Sequence, residues 1–491
     1  MVDDGVSILV AAKAAPVTHE YSGDGLVQHL SVSTGSVVGD LAGQLSVSVV
    51  ASAATEGDTA LAKAHPDGVA VRAAGGREIQ VTFVPHSPET LSNDRYGVVT
   101  EILWHTMHGL WDRWTEPDFS ERERLAWAAL HTLNEDITAA LVRKSGKPGC
   151  AYLVHDYQLG LVPGRLRLID ADARILYFHH VAWPAPDVLA LLPRTFVHDY
   201  LRGVLGADFV GFFARQWQRN FLRCVEDLLP EAVVDHPAGT VRLADRVVRT
   251  VVEPLSLSPE ALEGLESRWP DDLDAWVGDR TLLVHAARTD PIKNAHRAVA
   301  AFELACAADD DVARARLVLR VNPHRMNLPA NAAYLRRTEE AVARLNERFG
   351  EERARILVGN DRSLTFGCLR RADVVILNSV SDGQNLTAFE AVALGDRAPV
   401  LLISPTCGAS EVLGGDALPV HPQDLDDQAD ALVRAVAMPA EHRARAMERL
   451  RERTAGYLLP RWTQRQLDLL EVTRAEPEAA RPPTGGTPSR R

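Results

Sequence analysis

Short apolar runs alternate with longer amphipathic stretches along almost the whole chain. In the first half, the apolar runs predict strands at residues 6–12, 45–52, 78–84, 151–154, 174–179 and 208–213. Runs without a polar interruption, such as Tyr-Leu-Val and Ile-Leu-Tyr-Phe, are typical of strands that are buried on both faces of a sheet. Because strands that alternate with helices build parallel sheets, the pattern predicts an α/β protein.

The alternation is interrupted once and then begins again. After an apolar run at 251–257, residues 258–279 are rich in Pro, Glu, Asp and Trp, which indicates a connection between two domains. The second half predicts strands at 281–287, 316–321, 355–358, 373–377 and 400–404, and helices at 295–306, 332–349, 364–372, 386–394 and 439–471. Gly350 stands where a glycine would close the second of these helices.

We therefore predict two doubly wound, Rossmann-like domains that face each other across a cleft. The first covers residues 1–257 and would bind an acceptor, 258–279 link the domains, and 280–450 form a second domain that would bind a nucleotide donor. A closing helix is expected at 451–475 and a disordered tail, rich in Pro, Gly and Arg, at 476–491. Ligands of such folds bind beyond the carboxyl ends of the strands, so the residues that follow strands are the candidates for chemistry.

Charge and cysteine content narrow the classes of partner. The 491 residues include 53 Lys and Arg against 66 Asp and Glu, a net charge of −13, which argues against a nucleic acid or an anionic membrane as partner. The five cysteines are far apart and form no C-x-x-C pair, which favours a reducing, cytoplasmic location over a disulfide framework or a zinc site. The apolar stretch at 6–12 is too short to span a membrane.

One polar loop follows the predicted strand at 281–287. It places Arg288 and Lys293 five residues apart and just before a predicted helix. Two cations beside the N–H groups of a helix N-terminus are suited to a diphosphate. The alternative is a surface loop with two solvated cations.

A second polar loop follows the strand at 373–377. Gly383 would let the backbone approach a ligand, the N–H groups of Gln384 to Leu386 open a helix, and Glu390 lies two turns beyond Asp382. A carboxylate at this distance is suited to a pair of ribose hydroxyls. The alternative is a capped loop with Glu390 on a solvated helix face.

Two loops of the first half complete the set. His-Asp-Tyr-Gln-Leu follows the strand at 151–154, and His180 to Pro186 follows the strand at 174–179. Asp156 and His180 are suited to sugar hydroxyls and Trp183 to stacking on a ring, although a lone His or Asp is more often structural. The segment 320–325 adds the cations Arg320 and Arg325 at another strand end. The chain has no G-x-G-x-x-G, P-loop, H-E-x-x-H or G-x-S-x-G motif, which argues against dehydrogenases, P-loop enzymes, zinc proteases and α/β-hydrolases.

In their order and spacing, these loops resemble the trehalose-6-phosphate synthase family of retaining GT-B glycosyltransferases. The resemblance rests on H-D-Y-Q-L, H-x-x-W-P, R-T-D-P-I-K and D-G-Q-N-L-x-x-x-E, and it extends over residues 6–470. Within this family, the sequence is more similar to a pseudoglycosyltransferase branch known from validamycin-type aminocyclitol pathways. The segments that carry this similarity are T-D-P-I-K-N, D-G-Q-N-L, P-A-N at 329–331, T-C-G-A at 406–409 and W-D-R-W-T at 111–115. The synthases themselves more often show R-L-D-Y-x-K-G and D-G-M-N-L.

The resemblance implies roles for residues at these loops. Arg288 and Lys293 would hold the diphosphate and neutralise the leaving group, and Asp156 and His180 would hold hydroxyls at the reacting centre, so these four are the predicted catalytic residues. Arg325 with Lys13 would bind the acceptor phosphate. The predicted donor-binding residues are Gly35, Arg288, Lys293, Arg320, Asn360, Thr365, Asp382, Gly383, Gln384, Asn385, Leu386 and Glu390, and the predicted acceptor-binding residues are Lys13, Trp127, Asp156, Asn322, His324 and Arg325.

Departures from the family pattern fall mostly on the acceptor side. Lys13 stands where the synthases carry Arg, and His324 stands where the pseudoglycosyltransferase branch has Asn. Thr34-Gly35 replaces a Gly-Gly pair that passes close to the donor. His108-Gly109 replaces a region where a Tyr would help to hold the acceptor, which leaves Trp127 as the aromatic candidate.

The resemblance implies transfer with net retention and without a covalent enzyme intermediate. The donor would resemble GDP-valienol and the acceptor would be the amine of a phosphorylated aminocyclitol or amino sugar, which gives a C–N bond without a metal or another cofactor. The alternatives are an α,α-trehalose-phosphate synthase that uses nucleotide-glucose and glucose 6-phosphate, and a non-catalytic sensor of sugar nucleotides. The sequence leaves open the nucleobase of the donor, the exact acceptor and the oligomeric state. A homodimer is compatible with the sequence.

Overall fold

A computed structural model of the chain describes residues 8–23, 25–31, 34–45, 47–73, 76–91, 93–114, 117–146, 148–257, 262 and 266–472. The start of the predicted first strand, at residues 6–7, and the predicted tail at 476–491 lie outside the described residues. Two α/β domains account for most of the described chain, as the sequence pattern predicts.

The first domain is built on a ten-stranded sheet. The strands of this domain are β1 (Ile8–Ala14), β2 (Val17–Ser22), β3 (Gly25–Leu30), β4 (Ser48–Ser52), β5 (Val69–Arg72), β6 (Glu78–Val84), β7 (Ala151–His155), β8 (Arg174–His179), β9 (Phe209–Phe212), β10 (Ala232–Asp235), β11 (Thr240–Leu243) and β12 (Arg246–Val252), of which β2 and β3 form a separate hairpin. The strand order of the sheet is β10-β11-β12-β9-β8-β7-β1-β4-β6-β5. The pairs from β12 to β6 are parallel, whereas β10, β11 and β5 join antiparallel at the two edges. The helices are α1 (Thr34–Leu45), α2 (Glu56–Ala64), α3 (Pro88–Leu91), α4 (Asn93–His108), α5 (Glu121–Ser145), α6 (Val162–Ile169), α7 (Pro186–Leu189), α8 (Arg194–Val204) and α9 (Arg215–Leu228).

The second domain contains a six-stranded sheet in which every pair of strands is parallel. Its order is β15-β14-β13-β16-β17-β18. The elements are α10 (Asp271–Val277), β13 (Leu282–Arg288), α11 (Ala295–Ala308), α12 (Asp310–Arg314), β14 (Arg316–Asn322), α13 (Pro329–Phe349), β15 (Ala354–Val358), α14 (Arg362–Arg371), β16 (Val374–Leu377), α15 (Leu386–Leu394), β17 (Val400–Ile403), α16 (Ser410–Leu413), β18 (Leu418–Pro419), α17 (Leu425–Val436) and α18 (Ala440–Thr454).

Apolar residues on both faces of the central strands explain why the strand pattern is continuous rather than alternating. In β1, Leu9 and Ala11 belong to the core on one face of the sheet, whereas Val10 and Ala12 belong to the core on the other. All residues of β7, β8, β16 and β17 are buried. Helices therefore cover both faces of each sheet, and polar groups gather at the ends of the strands.

The chain passes between the domains twice, and the two crossing segments lie side by side. The N–H of Ser256 donates to the carbonyl of Tyr457 at 2.8 Å, and its hydroxyl donates to the carbonyl of Thr454 at 2.6 Å. The second crossing leads into α19 (Leu459–Val472), which returns to the first domain. There Trp462 is fully buried and its indole N–H donates to the carbonyl of Glu253 at 3.1 Å.

Several boundaries differ from the sequence predictions. The predicted helix at 439–471 is two helices, α18 and α19, separated by a 3-10 turn at Ala455–Tyr457. Part of the predicted linker folds as α10, whose Leu273 and Val277 are buried, and Val277 belongs to the core of the second domain. Gly350 closes α13 in the left-handed conformation, as predicted. The hairpin of β2 and β3 was missed because all residues of β3 are exposed and give no buried pattern.

None of the helices in the described part of the chain has the length and apolar character that a membrane span needs.

Candidate functional site

Loops from the two domains meet at the carboxyl ends of the parallel strands. Arg325, which follows β14 of the second domain, donates to the hydroxyl of Tyr157 in the first domain at 3.2 Å, and its guanidinium lies 4.4 Å from the centre of the Trp104 ring. Gly383 of the second domain is so close to the first that an added Cβ would lie 2.4 Å from the carbonyl oxygen of His180. These contacts bring the loops predicted from the sequence into one cleft.

The two cations of the first loop are each paired with a carboxylate. The Nε of Arg288 lies 2.9 Å from the Oδ2 of Asp290, which is completely buried. Burial alone would raise the pKa of Asp290, but the adjacent Arg288, with His324 and Arg325, holds it below the usual value. The Nζ of Lys293 donates to the Oδ2 of Asp382 at 2.5 Å, which joins the first donor loop to the second.

In the second loop, residues 382–386, backbone carbonyl groups accept hydrogen bonds from groups on the side away from the cleft. The carbonyl of Gly383 accepts the indole N–H of Trp217 at 2.9 Å, and that of Gln384 accepts the N–H of Ala409 at 2.8 Å. Gly408 must be glycine because an added Cβ would lie 2.0 Å from the carbonyl oxygen of Gly383. The loop is therefore held in one position by groups on the side away from the cleft.

The N–H groups of the same loop are left for a ligand. Within the described residues, no hydrogen bond uses the backbone N–H groups of Gln384, Asn385 or Leu386. Asn385, with a φ of 68°, turns the chain into α15, so these N–H groups stand at the N-terminus of a nine-residue helix. Unused N–H groups of this kind, close to Lys293, are suited to a diphosphate.

Glu390 lies one turn into α15 and faces α14. Its carboxylate lies 3.6 Å from the guanidinium of Arg362, and burial raises its pKa although Arg362 opposes the shift. Of the other predicted donor-binding residues, Asn360 is exposed in the turn between β15 and α14, and Thr365 is buried with its hydroxyl donating to the carbonyl of Asp361 at 3.2 Å.

Arg320, predicted to contact the donor, makes its hydrogen bonds within the second domain. Its side chain is buried, and its guanidinium donates to the carbonyls of Leu357 at 2.9 Å and Asp361 at 2.8 Å. The residue lies inside β14 beside β15, so its side chain reaches the backbone of the neighbouring strand and turn. The structure thus has Arg320 hold the turn that carries Asn360, and its contact with a donor stays a prediction.

Asp156 and His180 lie at the ends of the neighbouring strands β7 and β8, where the sequence predicts them. Asp156 has a φ of 83°, and its carboxylate accepts the N–H of Tyr157 at 2.8 Å. The Nε2 of His180 lies 2.9 Å from the Nδ1 of His155. Burial lowers the pKa of both rings, that of His155 to about 3, so both are neutral, one donates to the other, and the Nδ1 of His180 stays outside this contact.

Backbone strain is concentrated at the same place. Among the described residues, six that are not glycine have a positive φ, and four of these lie in the cleft loops: Asp156, Asn294, Arg325 and Asn385. Such conformations cost on the order of 1–3 kcal/mol each and persist only where the surrounding structure holds them. The concentration of these residues in the cleft loops supports a functional use of the loops.

The acceptor side gathers cations from both domains. Burial, and after it Arg325, lowers the pKa of Lys13 to about 8, although Asp156 opposes the shift. Burial, and then Arg288, lowers the pKa of His324 to about 3. The backbone of His324 is fixed by Thr289, whose hydroxyl accepts its N–H at 2.7 Å and donates to its carbonyl at 2.9 Å.

Two more predicted residues occupy positions at this edge. Asn322 ends β14 directly opposite Arg288 in the parallel register of β13 and β14. Gly35 lies in the first turn of α1, where an added Cβ would be 2.6 Å from the carbonyl oxygen of Ala15. Glycine therefore lets α1 approach the segment that follows Lys13.

Trp127 is not among the residues that the structure brings to the cleft. It is buried in α5, and its ring stacks on Phe196 with the centres 4.2 Å apart and the planes within 4°. Trp104 of α4 instead lies under the Arg325 guanidinium and 3.9 Å from the ring of His108. Sequence reasoning missed Trp104 as a site residue. The signal was its spacing of four residues from His108, which puts both rings on one face of a helix.

The described residues contain no group of three His, Cys, Asp or Glu side chains arranged to hold a metal ion. The cleft offers two paired cations and a helix N-terminus suited to a diphosphate, a carboxylate and a neutral imidazole suited to hydroxyls, and Lys13 with Arg325 suited to a second anion.

Comparison with known proteins places this cleft in a family. The family model described as Glycosyltransferase family 20 matches residues 35–472. The validamine 7-phosphate valienyltransferase of Streptomyces hygroscopicus subsp. jinggangensis is 40% identical over 475 residues, which cover 96% of this chain and 95% of that protein. The UDP-forming alpha,alpha-trehalose-phosphate synthase 2 of Aspergillus niger is 27% identical over 471 residues, with 93% and 95% covered.

Solved structures share the fold. The N-terminal domain of Candida albicans trehalose-6-phosphate phosphatase superposes with a TM-score of 0.80 at 21% identity and covers 96% of this chain and 98% of that chain. An E. coli structure described as trehalose-6-phosphate bound with UDP-2-fluoro glucose superposes with a TM-score of 0.79 at 21% identity and covers 95% and 99%. These likenesses confirm the predicted GT-B fold.

Proposed function

Because the chain belongs to glycosyltransferase family 20, we propose that it transfers a valienol-like cyclitol from a nucleotide diphosphate donor to the amine of a phosphorylated aminocyclitol, with net retention. The observation that carries this proposal is the 40% identity, over nearly the full length of both chains, to a validamine 7-phosphate valienyltransferase. The cleft residues support the same chemistry, because they offer one site for a diphosphate and another for a monophosphate.

On the donor side, the diphosphate replaces carboxylates as the partner of two cations. Arg288 and Lys293 are held by Asp290 and Asp382 and need no large movement to bind phosphate oxygens. The N–H groups of Gln384 to Leu386 donate further hydrogen bonds to the diphosphate at the N-terminus of α15. Glu390 accepts hydrogen bonds from the ribose hydroxyls. These groups stabilise the charge that develops on the leaving diphosphate, which is the main way such a site lowers the barrier.

At the reacting carbon, the bond to the diphosphate oxygen breaks and its electron pair leaves with the diphosphate. The ring alkene of a valienol-like donor spreads the positive charge that a ring oxygen would stabilise in a sugar. The amine nitrogen forms the new C–N bond from the same face and gives up one proton to an oxygen of the departing diphosphate. Asp156 and the neutral His180 orient the ring by its hydroxyls, so the enzyme works mainly by positioning.

On the acceptor side, Lys13 and Arg325 bind the phosphate of the acceptor. Trp104 forms the wall beneath Arg325, and Tyr157 fixes the guanidinium by accepting its hydrogen bond. We propose that no metal ion takes part, because Arg288 and Lys293 supply the positive charge that a divalent cation supplies elsewhere.

The test is a turnover assay with purified protein and two substrate pairs, read by mass spectrometry. One pair is GDP-valienol with validamine 7-phosphate, and the other is UDP- or GDP-glucose with glucose 6-phosphate. The proposal expects the first pair to give a C–N-linked pseudodisaccharide phosphate and GDP. Turnover of the glucose pair alone would show a trehalose-phosphate synthase, and nucleotide binding without turnover of either pair would show a sensor.

Two controls make the outcome specific. EDTA in the first assay should leave the rate unchanged, and a metal requirement would overturn the metal-independent part of the proposal. The configuration of the carbon at the new bond, read by NMR, should be the same as in the donor. Inversion of that configuration would exclude the retaining mechanism.

A further inference from the structure

The first turn of α9 touches the second domain at three consecutive residues. The backbone N–H groups of Arg215 and Gln216 donate to the two carboxylate oxygens of Glu411, at 2.8 and 3.0 Å. The side-chain amide of Gln216 donates to the carbonyl of Pro405 at 3.2 Å. The indole N–H of Trp217 donates to the carbonyl of Gly383 at 2.9 Å, so the turn reaches the predicted donor loop directly.

The helix depends on the other domain for its N-terminal cap. Ala214, at the cap position of α9, makes no side-chain cap hydrogen bond. The carboxylate of Glu411 satisfies two of the N–H groups that a helix start leaves open, and its negative charge suits that end of the helix. This end of α9 is therefore fully satisfied only when the domains hold their present relation.

The contact with Gly383 lies where the donor loop meets the reacting centre. Trp217 is buried and belongs to the core of the first domain. Gly383 is pressed against the carbonyl of His180 on its other side, with no room for a Cβ. The next residue, Gln384, donates from its side chain to the carbonyl of Leu255 in the first domain at 2.7 Å. The loop that offers N–H groups to the donor is thus tied to the first domain behind the cleft.

We propose that Trp217 is a positioning residue for the transfer reaction and that, with Glu411, it forms an interdomain clamp on the donor loop. The clamp sets the distance between the N–H groups of residues 384–386 and His180, so the diphosphate and the reacting carbon are bound in register only when the clamp is closed. The role of the clamp rests on the proposed function for the identity of the substrates, but its effect on nucleoside diphosphate binding does not.

The test compares two matched substitutions. Trp217→Phe keeps an aromatic ring and removes the N–H that holds Gly383. Trp276→Phe removes an indole N–H that donates to a backbone carbonyl, that of Glu352, at the same distance of 2.9 Å but in a contact within the second domain. We expect Trp217→Phe to lower kcat about tenfold and raise the donor KM several-fold, with the acceptor KM within twofold, whereas Trp276→Phe should keep the wild-type kcat and donor KM. If Trp217→Phe has the kcat and donor KM of Trp276→Phe, the hydrogen bond is only structural and the proposal fails.

A second variant keeps the proposal testable if Trp217→Phe folds poorly. Glu411→Gln keeps the side-chain size and removes the charge at the start of α9. We expect weaker binding of GDP or UDP, whichever the wild-type protein binds more tightly in calorimetry, and a larger radius of gyration in X-ray scattering with that nucleotide bound. Unchanged affinity and unchanged radius would overturn the clamp. Failure of the wild-type protein to use GDP-valienol would overturn the proposed function and leave these two measurements to decide the clamp.

Discussion

The donor side and the acceptor side of the cleft balance their charges differently. On the donor side each cation has a carboxylate partner in the same domain: Arg288 with Asp290, Lys293 with Asp382, and Arg362 with Glu390. On the acceptor side Lys13 and Arg325, from different domains, lie close enough for Arg325 to lower the pKa of Lys13, and Asp156 opposes this shift.

The difference teaches what each side needs before its ligand arrives. Paired cations stay in place without a ligand, so the donor side is preorganised for a diphosphate. On the acceptor side, a phosphate dianion bound between Lys13 and Arg325 would offset the repulsion between these two cations. Changes on the donor side should therefore act on the chemical step, and changes on the acceptor side should act on acceptor affinity and its dependence on pH.

Removal of a paired donor cation should have the largest effect. Arg288→Ala is expected to lower kcat about 10³-fold, because the leaving diphosphate loses a fixed partner. Steady-state rates at saturating donor would measure this. Arg348→Ala, which removes an exposed arginine paired with Glu303, is the control and should keep the wild-type rate. If Arg288→Ala lowers kcat less than tenfold, the proposed role of a preorganised donor side is contradicted.

Lys13 should control acceptor affinity and its pH dependence. Lys13→Met is expected to raise the acceptor KM roughly 30-fold and leave the donor KM within twofold. In the wild-type protein the amine is charged below its pKa of about 8 and neutral above it, so acceptor binding should weaken from pH 7 to pH 9.

Lys13→Arg is the matched variant for the pH measurement, since a guanidinium stays charged over this range. Calorimetric titration of the acceptor at several pH values should show a much flatter alkaline limb for Lys13→Arg than for the wild type. Equal limbs in the two proteins would mean that Lys13 does not bind the phosphate.

Trp104 and Trp127 should separate the cleft from the core. Trp104→Leu is expected to raise the acceptor KM about tenfold, because Arg325 loses the ring beneath it. Trp127→Leu should leave the acceptor KM within twofold while the free energy of unfolding falls by about 2–4 kcal/mol, because a stacked pair in the core is lost. Kinetics together with thermal unfolding of both variants would test this, and the opposite pattern would restore Trp127 as the acceptor contact.

The smallest expected effect is a gain in stability. Burial lowers the pKa of Lys13 from 10.5 to about 8, so below pH 8 the folded protein carries a charge that the unfolded chain holds more easily in water. Lys13→Met should raise the free energy of unfolding at pH 7 by about 1–2 kcal/mol, and the gain should shrink between pH 8 and pH 10.5 and vanish above about pH 11, where both states are neutral. Urea unfolding at pH 7 and at about pH 11 would measure it, with the exposed Lys63→Met as control; a loss of stability at pH 7 would contradict the cause given for the pKa.

The fold and the donor loops could be predicted because their signals are local. Buried strands leave continuous apolar runs, and the donor loops are contiguous segments directly after such runs. Arg288, Lys293 and the loop at 382–386 stand in the cleft because the ends of parallel strands must meet at one edge of a sheet.

The rest depends on contacts between distant segments. Arg320 and Arg325 look alike in sequence, but one reaches the carbonyls of a neighbouring strand and turn, whereas the other crosses to Tyr157. Which of Trp104 and Trp127 faces the cleft is decided by the packing of α4 on α5, which hydrophobic periodicity does not determine. The cap that Glu411 gives to α9 joins residues almost 200 positions apart, so no local pattern announces it.

The return of α19 to the first domain has a consequence for the order in which the chain becomes functional. Trp462 and Leu470 are part of the first domain's core, more than 200 residues after the end of β12. On the ribosome, that core is still incomplete when the whole second domain has emerged, so the second domain can fold first, contrary to the usual N-to-C order. Synthesis halted before α19 should therefore give a chain with a folded second domain and an unfinished first domain, because α19 completes the half that was made first.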